Sequence, residues 1–309
     1  MTAFSGFSDV DFDAYLPKKA LSHVYNRERL ETKQKLMALG ASIGGQVLGS
    51  DRAPLACEAS SEHPALWNHK RVDAQHLFFS RNAQARQEIE GIIDKGRTLA
   101  SLIDDPTPQR KHIFLEVNID ASQVEIALKL HTDARVDHDN LERKCADYFH
   151  RERITAILHA LPDEYRVGIV GRTLREPATL DDDTLRALIS EFASSGSWFY
   201  IGRGYPRTDP APRGPGFVEV AREQLAYLLP AFHFIAWTRD NDFVSVKETL
   251  KQAAAERRVG GLERGDRVRI VRGVLSGKTG TVQETGDKGV KILVGKMSVK
   301  VDGGDLAKV

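Results

Sequence analysis

GDRVRIVRGVLSGKTGTVQE, residues 265–284, decides how the chain is divided. Val268 and Ile270 alternate with Arg267, Arg269 and Arg272, the period of two expected of a strand with one wet face. DRVRIVR, GTVQE, VKILVG and SVKV read as four short strands, separated by Gly273, Gly277, Gly280, the GDKG run at 286–289, and Gly303 with Gly304. A segment this short cannot build a thick two-layer core, so a small closed barrel with glycines at its corners is the expected solution. Residues 262–309 hold 10 Lys+Arg against 6 Asp+Glu, a net of +4, which leaves 34 against 37, a net of −3, for residues 1–261. A basic end on a mildly acidic body points to a polyanionic partner.

At 309 residues the chain exceeds a typical single domain, and 41% hydrophobic with 28% charged residues is ordinary for a folded protein. The two cysteines, Cys57 and Cys145, have no CxxC or metal-like spacing, which fits a reducing cytoplasm. The opening MTAFSGFSDVDFD is acidic and lacks the apolar core of a secretory signal. AYLLPAFHFIAW, the most apolar stretch, is too short and too interrupted to span a bilayer. A cytoplasmic protein without membrane contact is expected.

Along the body, apolar positions from Leu21 to Val47 recur at helical spacing and predict a long helix over residues 19–49. VDAQHLFFS predicts a buried strand, and Ile89, Ile92, Ile93, Leu99 and Leu102 a second helix. HIFLEVNI and QVEIALKL alternate cleanly across Asp120, Ala121 and Ser122, the pattern of a hairpin. Helical spacing returns from Leu141 to Leu158, followed by the strand YRVGIV, a helix opened by Asp181, Asp182 and Asp183, and the strand SWFYIGR. GRGYPRTDPAPRGPG reads as a loop, residues 218–229 as a helix, AFHFIAW as a strand and VSVKETLKQAAAERR as a polar helix. Gly260 and Gly261 then mark a boundary. Mixed order with a hairpin favours α+β over a doubly wound sheet.

The run Gly265-Asp266-x-Val268-x-Ile270-x-x-Gly273, with Leu275-x-Gly277-x-x-Gly280-x-Val282, resembles the KOW motif of SH3-like barrels, as in the C-terminal domain of NusG and its eukaryotic relative. Val294 to Val301 is similar to the segment closing that barrel, although a proline is usual where Ser298 and Val299 meet. The resemblance covers residues 262–309 and implies contacts with RNA, ribosomal proteins or transcription factors. Arg267, Arg269, Arg272, Lys278 and Lys296 are the candidate contacts; they equally suit a solvated face protecting edge strands. Residues 262–309 hold no Phe, Tyr or Trp, so base stacking is not expected. The body is too long for a NusG-type amino-terminal domain. Its FSGFSDVDF, NHKRVDAQHLFF, HIFLEVNI and WFYIGRGY stretches are similar to the YktB-like α+β proteins, a resemblance that implies a fold without an activity.

Candidate chemistry in the body is sparse. His63, His69, His76, His131 and His138 lack zinc-site spacing; His138 with Asp139, near Asp133, Asp137 and Glu142, suits either a general base or a polar helix start. Asp73, Glu116 and Glu125 on neighbouring strands suit a magnesium-dependent nuclease or simply a wet sheet face, with Lys129 one pleat too far for an E-x-K pairing. Arg203, Arg207 and Arg213, on the Gly/Pro segment after Trp198, Phe199 and Tyr200, form a candidate anion-binding loop. No GxSxG, Walker A or GxGxxG signature occurs, so no cofactor, no metal and no assigned catalytic residue is expected.

The expected protein is α+β, with a mixed helix and sheet domain over residues 1–259 and a KOW-type SH3-like β-barrel over residues 260–309. The expected function is a non-catalytic adaptor docking on RNA, a ribonucleoprotein, or a transcription or translation protein. The alternative is a metal-dependent phosphoester hydrolase in the body, with the barrel as its targeting module.

Overall fold

A computed structural model describes residues 3–44, 55–65, 68–86, 89, 108–244, 264–271, 275–286, 289–295, 297–301 and 306–308. The chain forms two compact units, Met1–Val244 and Ser245–Val309. Arg272, Lys296, the expected polar helix after residue 244, the Gly260 and Gly261 boundary and most of the helix expected from Ile89 to Leu102 lie outside the described residues.

The first unit runs α1 (Asp9–Asp13), α2 (Asn26–Ile43), β1 (Ala56–Ala59), β2 (Ala74–Ser80), β3 (Phe114–Asp120) and β4 (Gln123–His131). It continues with α3 (Arg135–Ala146), α4 (Tyr148–His159), β5 (Arg166–Ile169), α5 (Asp182–Ala193), β6 (Trp198–Pro206) and α6 (Phe217–Ile235). The six strands make one antiparallel sheet in the order β1-β2-β3-β4-β6-β5. The expected hairpin is β3 and β4, and the Asp120 carboxylate shapes its turn by accepting from the Ser122 and Gln123 backbone N–H groups at 2.6 and 3.0 Å.

Strand alternation sends Leu77, Leu115, Val117, Ile119, Val124, Ile126, Leu128 and Ile201 to one face, where each is at most 1% exposed. Helices α2 and α6 pack against that face. The opposite face carries His76, Phe78, Phe114, Glu116, Glu125, Lys129, Trp198 and Tyr200, so polarity and aromatic rings are sorted there by the same period of two. Helix α5 is built as expected: Asp181 accepts from the Thr184 backbone N–H at 2.8 Å, while Leu185, Leu188, Ile189 and Phe192 bury one stripe.

Four expectations are corrected. AFHFIAW is not a strand: α6 continues through Pro230 to Ile235, because Leu225, Leu228, Ala231, Phe232 and Ile235 keep helical spacing on the sheet. The helix expected from Leu141 to Leu158 breaks at Asp147, whose extended backbone ends α3 while its carboxylate caps α4 through the His150 N–H at 3.1 Å. The first long helix spans only Asn26–Ile43 within the described residues, preceded by a 3-10 turn over His23–Tyr25. GRGYPRTDPAPRGPG is not all loop, since β6 extends to Pro206.

Gly202 permits that extension. A Cβ there would sit 2.6 Å from Ala127 Cβ and 2.7 Å from the Ile126 carbonyl oxygen, its neighbours across the β4–β6 ladder. Gly202→Ala is therefore expected to cost about 1–2 kcal/mol, read as a lower denaturation midpoint of the first unit.

The second unit contains β7 (Arg267–Ile270), β8 (Thr279–Gly286), β9 (Gly289–Val294), β10 (Met297–Val301) and β11 (Leu306–Lys308). They form an antiparallel sheet in the order β10-β9-β8-β7-β11, with an irregularity between Val282 and Glu284. Val268, Ile270, Val282, Val290, Ile292 and Leu306 make its core. Strand β11 was not anticipated; a three-residue strand has too short a pattern to read. At Gly280 a Cβ would meet the Leu293 carbonyl oxygen at 2.8 Å, so the β8–β9 approach requires glycine.

Candidate functional site

The three arginines of the expected anion-binding loop divide. Arg203 stands on β6 rather than in a loop, its guanidinium 4.5 Å above the Tyr205 ring and 3.9 Å from Glu164. Arg207 and Arg213 do come together, but on carboxylates of the same chain. Arg207 reaches Asp9 at 3.1 Å and Asp13 at 2.7 Å, and Arg213 reaches Asp9 at 2.9 Å. Hydrogen bonds from Arg213 and Arg207 hold the Asp9 carboxyl below its ordinary range. The pair thus fastens the N-terminal segment to the 207–213 turn.

His138 meets Asp139 at 3.0 Å, and one donor atom each from His138, Asp139 and Glu142 lie within 4.8 Å of one another. That is one ligand fewer than a closed structural zinc site. Asp73, Glu116 and Glu125 do not converge as a carboxylate cluster. Asp73 is exposed on Arg71 at 2.7 Å, whereas Glu116 and Glu125 share Lys129 at 2.5 and 2.7 Å.

Lys129 reaches both for a reason of register. Glu116 faces Ala127 across the β3–β4 ladder, midway between Glu125 and Lys129 on the same face, so the long lysine lies back along its own strand. Asn118 bridges the two carboxylates at 2.9 and 2.8 Å. Burial alone would push Glu116 up; the Lys129 ammonium and the His76 imidazole outweigh it and hold that carboxyl well below the usual range. Burial likewise opposes the Lys129 charge, and the two carboxylates overcome it, raising Lys129 above an ordinary lysine. Burial, followed by the nearby Glu125, raises the Tyr200 hydroxyl and keeps it a proton donor.

Above this ionic floor lies an open cleft of about 810 Å³, lined by His76, Phe78, Phe114, Trp198 and Arg110 among others. Nδ1 of His76 is 2.9 Å from a Glu116 carboxylate oxygen. His76, Phe78, Phe114, Lys129 and Trp198 come from four strands distant in sequence and Arg110 from the turn over Pro108–Lys111, so no one stretch of the chain marks the cleft. The strand residues share one parity, the sheet face opposite α2 and α6.

In the second unit, Arg267 and Arg269 are exposed and alternate with buried Val268 and Ile270, and Lys278, immediately before β8, is exposed as well. Lys291 and Lys300 are direct cross-strand partners on the β9–β10 ladder and are exposed as well. The sequence reading missed these two lysines, although the alternation of VKILVG and SVKV marks them as wet positions. Among the described residues, no carboxylate forms an ion pair with Arg267 or Arg269. No helix among the described residues is long and apolar enough to cross a membrane.

Compared with the models of known protein families, the chain matches none, and no curated protein matches it.

Proposed function

We propose that the chain is a non-catalytic adaptor whose C-terminal unit, a KOW-type SH3-like module, docks on the phosphate backbone of RNA in a ribonucleoprotein. One observation carries the reading: Arg267, Arg269, Lys291 and Lys300 are all exposed on strands of a sheet whose alternate residues, Val268, Ile270, Val290 and Ile292, are buried. The like-charged neighbours Lys291 and Lys300 oppose each other across the ladder, an arrangement that repels until a polyanion lies against it. Glu284, paired with Lys291 on the other side, offsets part of that repulsion. The strand order also suits such a module, since β11, the last strand, returns beside β7, the first. Without aromatic residues in 262–309 the contact would be to backbone phosphate, giving affinity with little sequence preference.

The test is fluorescence anisotropy of the full chain with a labelled structured RNA across a potassium chloride series. Affinity should fall steeply with salt, and a chain with Arg267→Gln and Arg269→Gln should lose about two counterions from the log–log slope. Binding that is insensitive to salt, or a slope unchanged in the variant, refutes RNA docking by this face. Capture of a transcription or translation protein by the same arginines would assign the surface to a protein partner instead.

A further inference from the structure

We propose that Lys144 is a reactive amine on the wall of a further cavity of the first unit, where it captures an aldehyde or ketone with an apolar body as a reversible imine. The cavity, about 910 Å³, falls within the range of small-molecule sites, about 300–1,000 Å³. Ile157, Phe232, Phe234 and Trp237 give it an apolar wall, and Lys144 from α3 stands beside them at 3% exposure. A lysine is buried to this degree almost only when a carboxylate accompanies it. Here, among the described residues, its hydrogen bonds go to neutral oxygens alone.

Those contacts suit an amine. Nζ donates to the Phe234 carbonyl at 2.5 Å and to the side-chain oxygen of Asn241. That oxygen is aimed by the amide nitrogen of the same side chain, which donates to the His233, Phe234 and Ala236 carbonyls at 3.2, 3.2 and 2.7 Å. Two acceptors satisfy both N–H groups of a neutral amine and leave its lone pair for a ligand. The third N–H of an ammonium finds no acceptor among the described residues. Nor does the end of α6 need a charge there, since Asn140 and Asn241 already donate to its last carbonyls. The Phe234 and Phe243 rings, 4.4 and 4.9 Å from Nζ, offer a cation only the attraction of ring faces.

The surroundings push the same way. Burial first, then the nearby Arg153 cation, brings Lys144 from 10.5 down to about 8, against the opposing influence of Cys145. Of the other charged groups around it, Arg81 is engaged by Asp137, and Arg143 on the same helix reaches the Val244 carbonyl. His150 lies edge-on to Phe243 at 4.8 Å, and His233, Arg239 and Asp240 line the cavity. Desolvation beside a second cation is how a lysine becomes a nucleophile toward carbonyl compounds. The Nζ lone pair attacks the carbonyl carbon and the C=O π pair passes to oxygen. Both amine protons then leave with that oxygen as water, so the capture needs no further reactant.

The full chain is incubated at neutral pH with benzaldehyde and sodium cyanoborohydride, which reduces an imine to a stable secondary amine, and each lysine is followed by peptide mass spectrometry. Lys144 is expected to be trapped about tenfold faster than the exposed Lys278, because far more of it is free amine. Benzyl alcohol, which fits the same space but has no carbonyl, should slow trapping at Lys144 and leave Lys278 unchanged. Trace acetylation with acetic anhydride across a pH series reads the amine directly. It should be half-maximal at Lys144 near pH 8, well short of the value for a free lysine side chain, about 10.4. Arg153→Gln, at an exposed position, should move that midpoint to higher pH. Trapping at Lys144 no faster than at Lys278, no protection by benzyl alcohol, or an acetylation midpoint in the free-lysine range overturns the proposal. The capture is binding rather than turnover, and none of these outcomes depends on the RNA titration, which reads the other unit.

Discussion

Lys129→Met is expected to lower the melting temperature of the 1–244 unit by about 10 °C, a loss of about 3–5 kcal/mol. The wild-type ammonium lies 2.5 Å from Glu116 and 2.7 Å from Glu125, and Glu116 is 1% exposed. Methionine keeps the length and apolar stem of lysine but leaves Glu116 and Glu125 without the ammonium they share. Removing one partner of a buried pair leaves an uncompensated charge, which costs far more than the pair contributes. Glu116→Gln is expected to cost less, about 1–3 kcal/mol, because Lys129 retains Glu125 and Asn118 retains an acceptor. Differential scanning calorimetry of the two variants separates these cases. A Lys129→Met transition within about 2 °C of wild type would mean that water already screens the cluster.

The elements legible beforehand are those whose signal is local. QVEIALKL alternates strictly, and its buried positions Val124, Ile126, Leu128 and Leu130 are all 0% exposed in β4. The aspartates before α5 announced a cap that Asp181 makes. AFHFIAW failed because a short continuous apolar run has no period of its own; only its extension from Phe217 through Leu228 shows it to be helical. The arginines of the Gly/Pro segment were legible as a cluster but not as partners of Asp9 and Asp13, some 200 residues upstream. The cleft was hidden for the same reason. In sequence His76 stands among histidines without zinc spacing, Glu116 with Lys129 suits either a nuclease site or a wet sheet face, and Trp198 stands beside the expected anion-binding loop; only the register Glu116 to Ala127, with Lys129 beside Tyr200, brings them together. In the second unit the alternation around Val268 and Ile270 was plain, because charge and hydrophobicity coincide there residue by residue.

His112 should make the first unit acid-sensitive in a window where carboxylates are still ionised. Its ring is 2% exposed, and neither nitrogen has a hydrogen-bond partner among the described residues. Burial pushes it down from 6.5 to about 4; the nearby Asp137 opposes that shift, while Arg81, Arg86 and Lys111 add to it. Arg81 is itself bidentate on Asp137 at 2.7 and 2.5 Å, so the carboxylate that would favour an imidazolium is already neutralised. The sign follows from the direction of the shift. Above pH 6.5 the imidazole is neutral whether the chain is folded or not, and it contributes no pH dependence. As pH falls below 6.5 the unfolded chain takes up a proton that the folded chain refuses, so stability drops until the folded group titrates near 4. The loss from this one residue should reach about 2 kcal/mol at about pH 5 and about 3 kcal/mol near its folded titration point. His112→Phe fills the same flat space without a titrating group and with no buried nitrogen to satisfy. Urea denaturation at pH 7 and pH 5 should therefore show the variant at least as stable as wild type at the higher pH and ahead by about 2 kcal/mol or more at the lower. Parallel losses in the two proteins between those pH values would place the protonated imidazole in contact with Asp137 and remove the basis for the window.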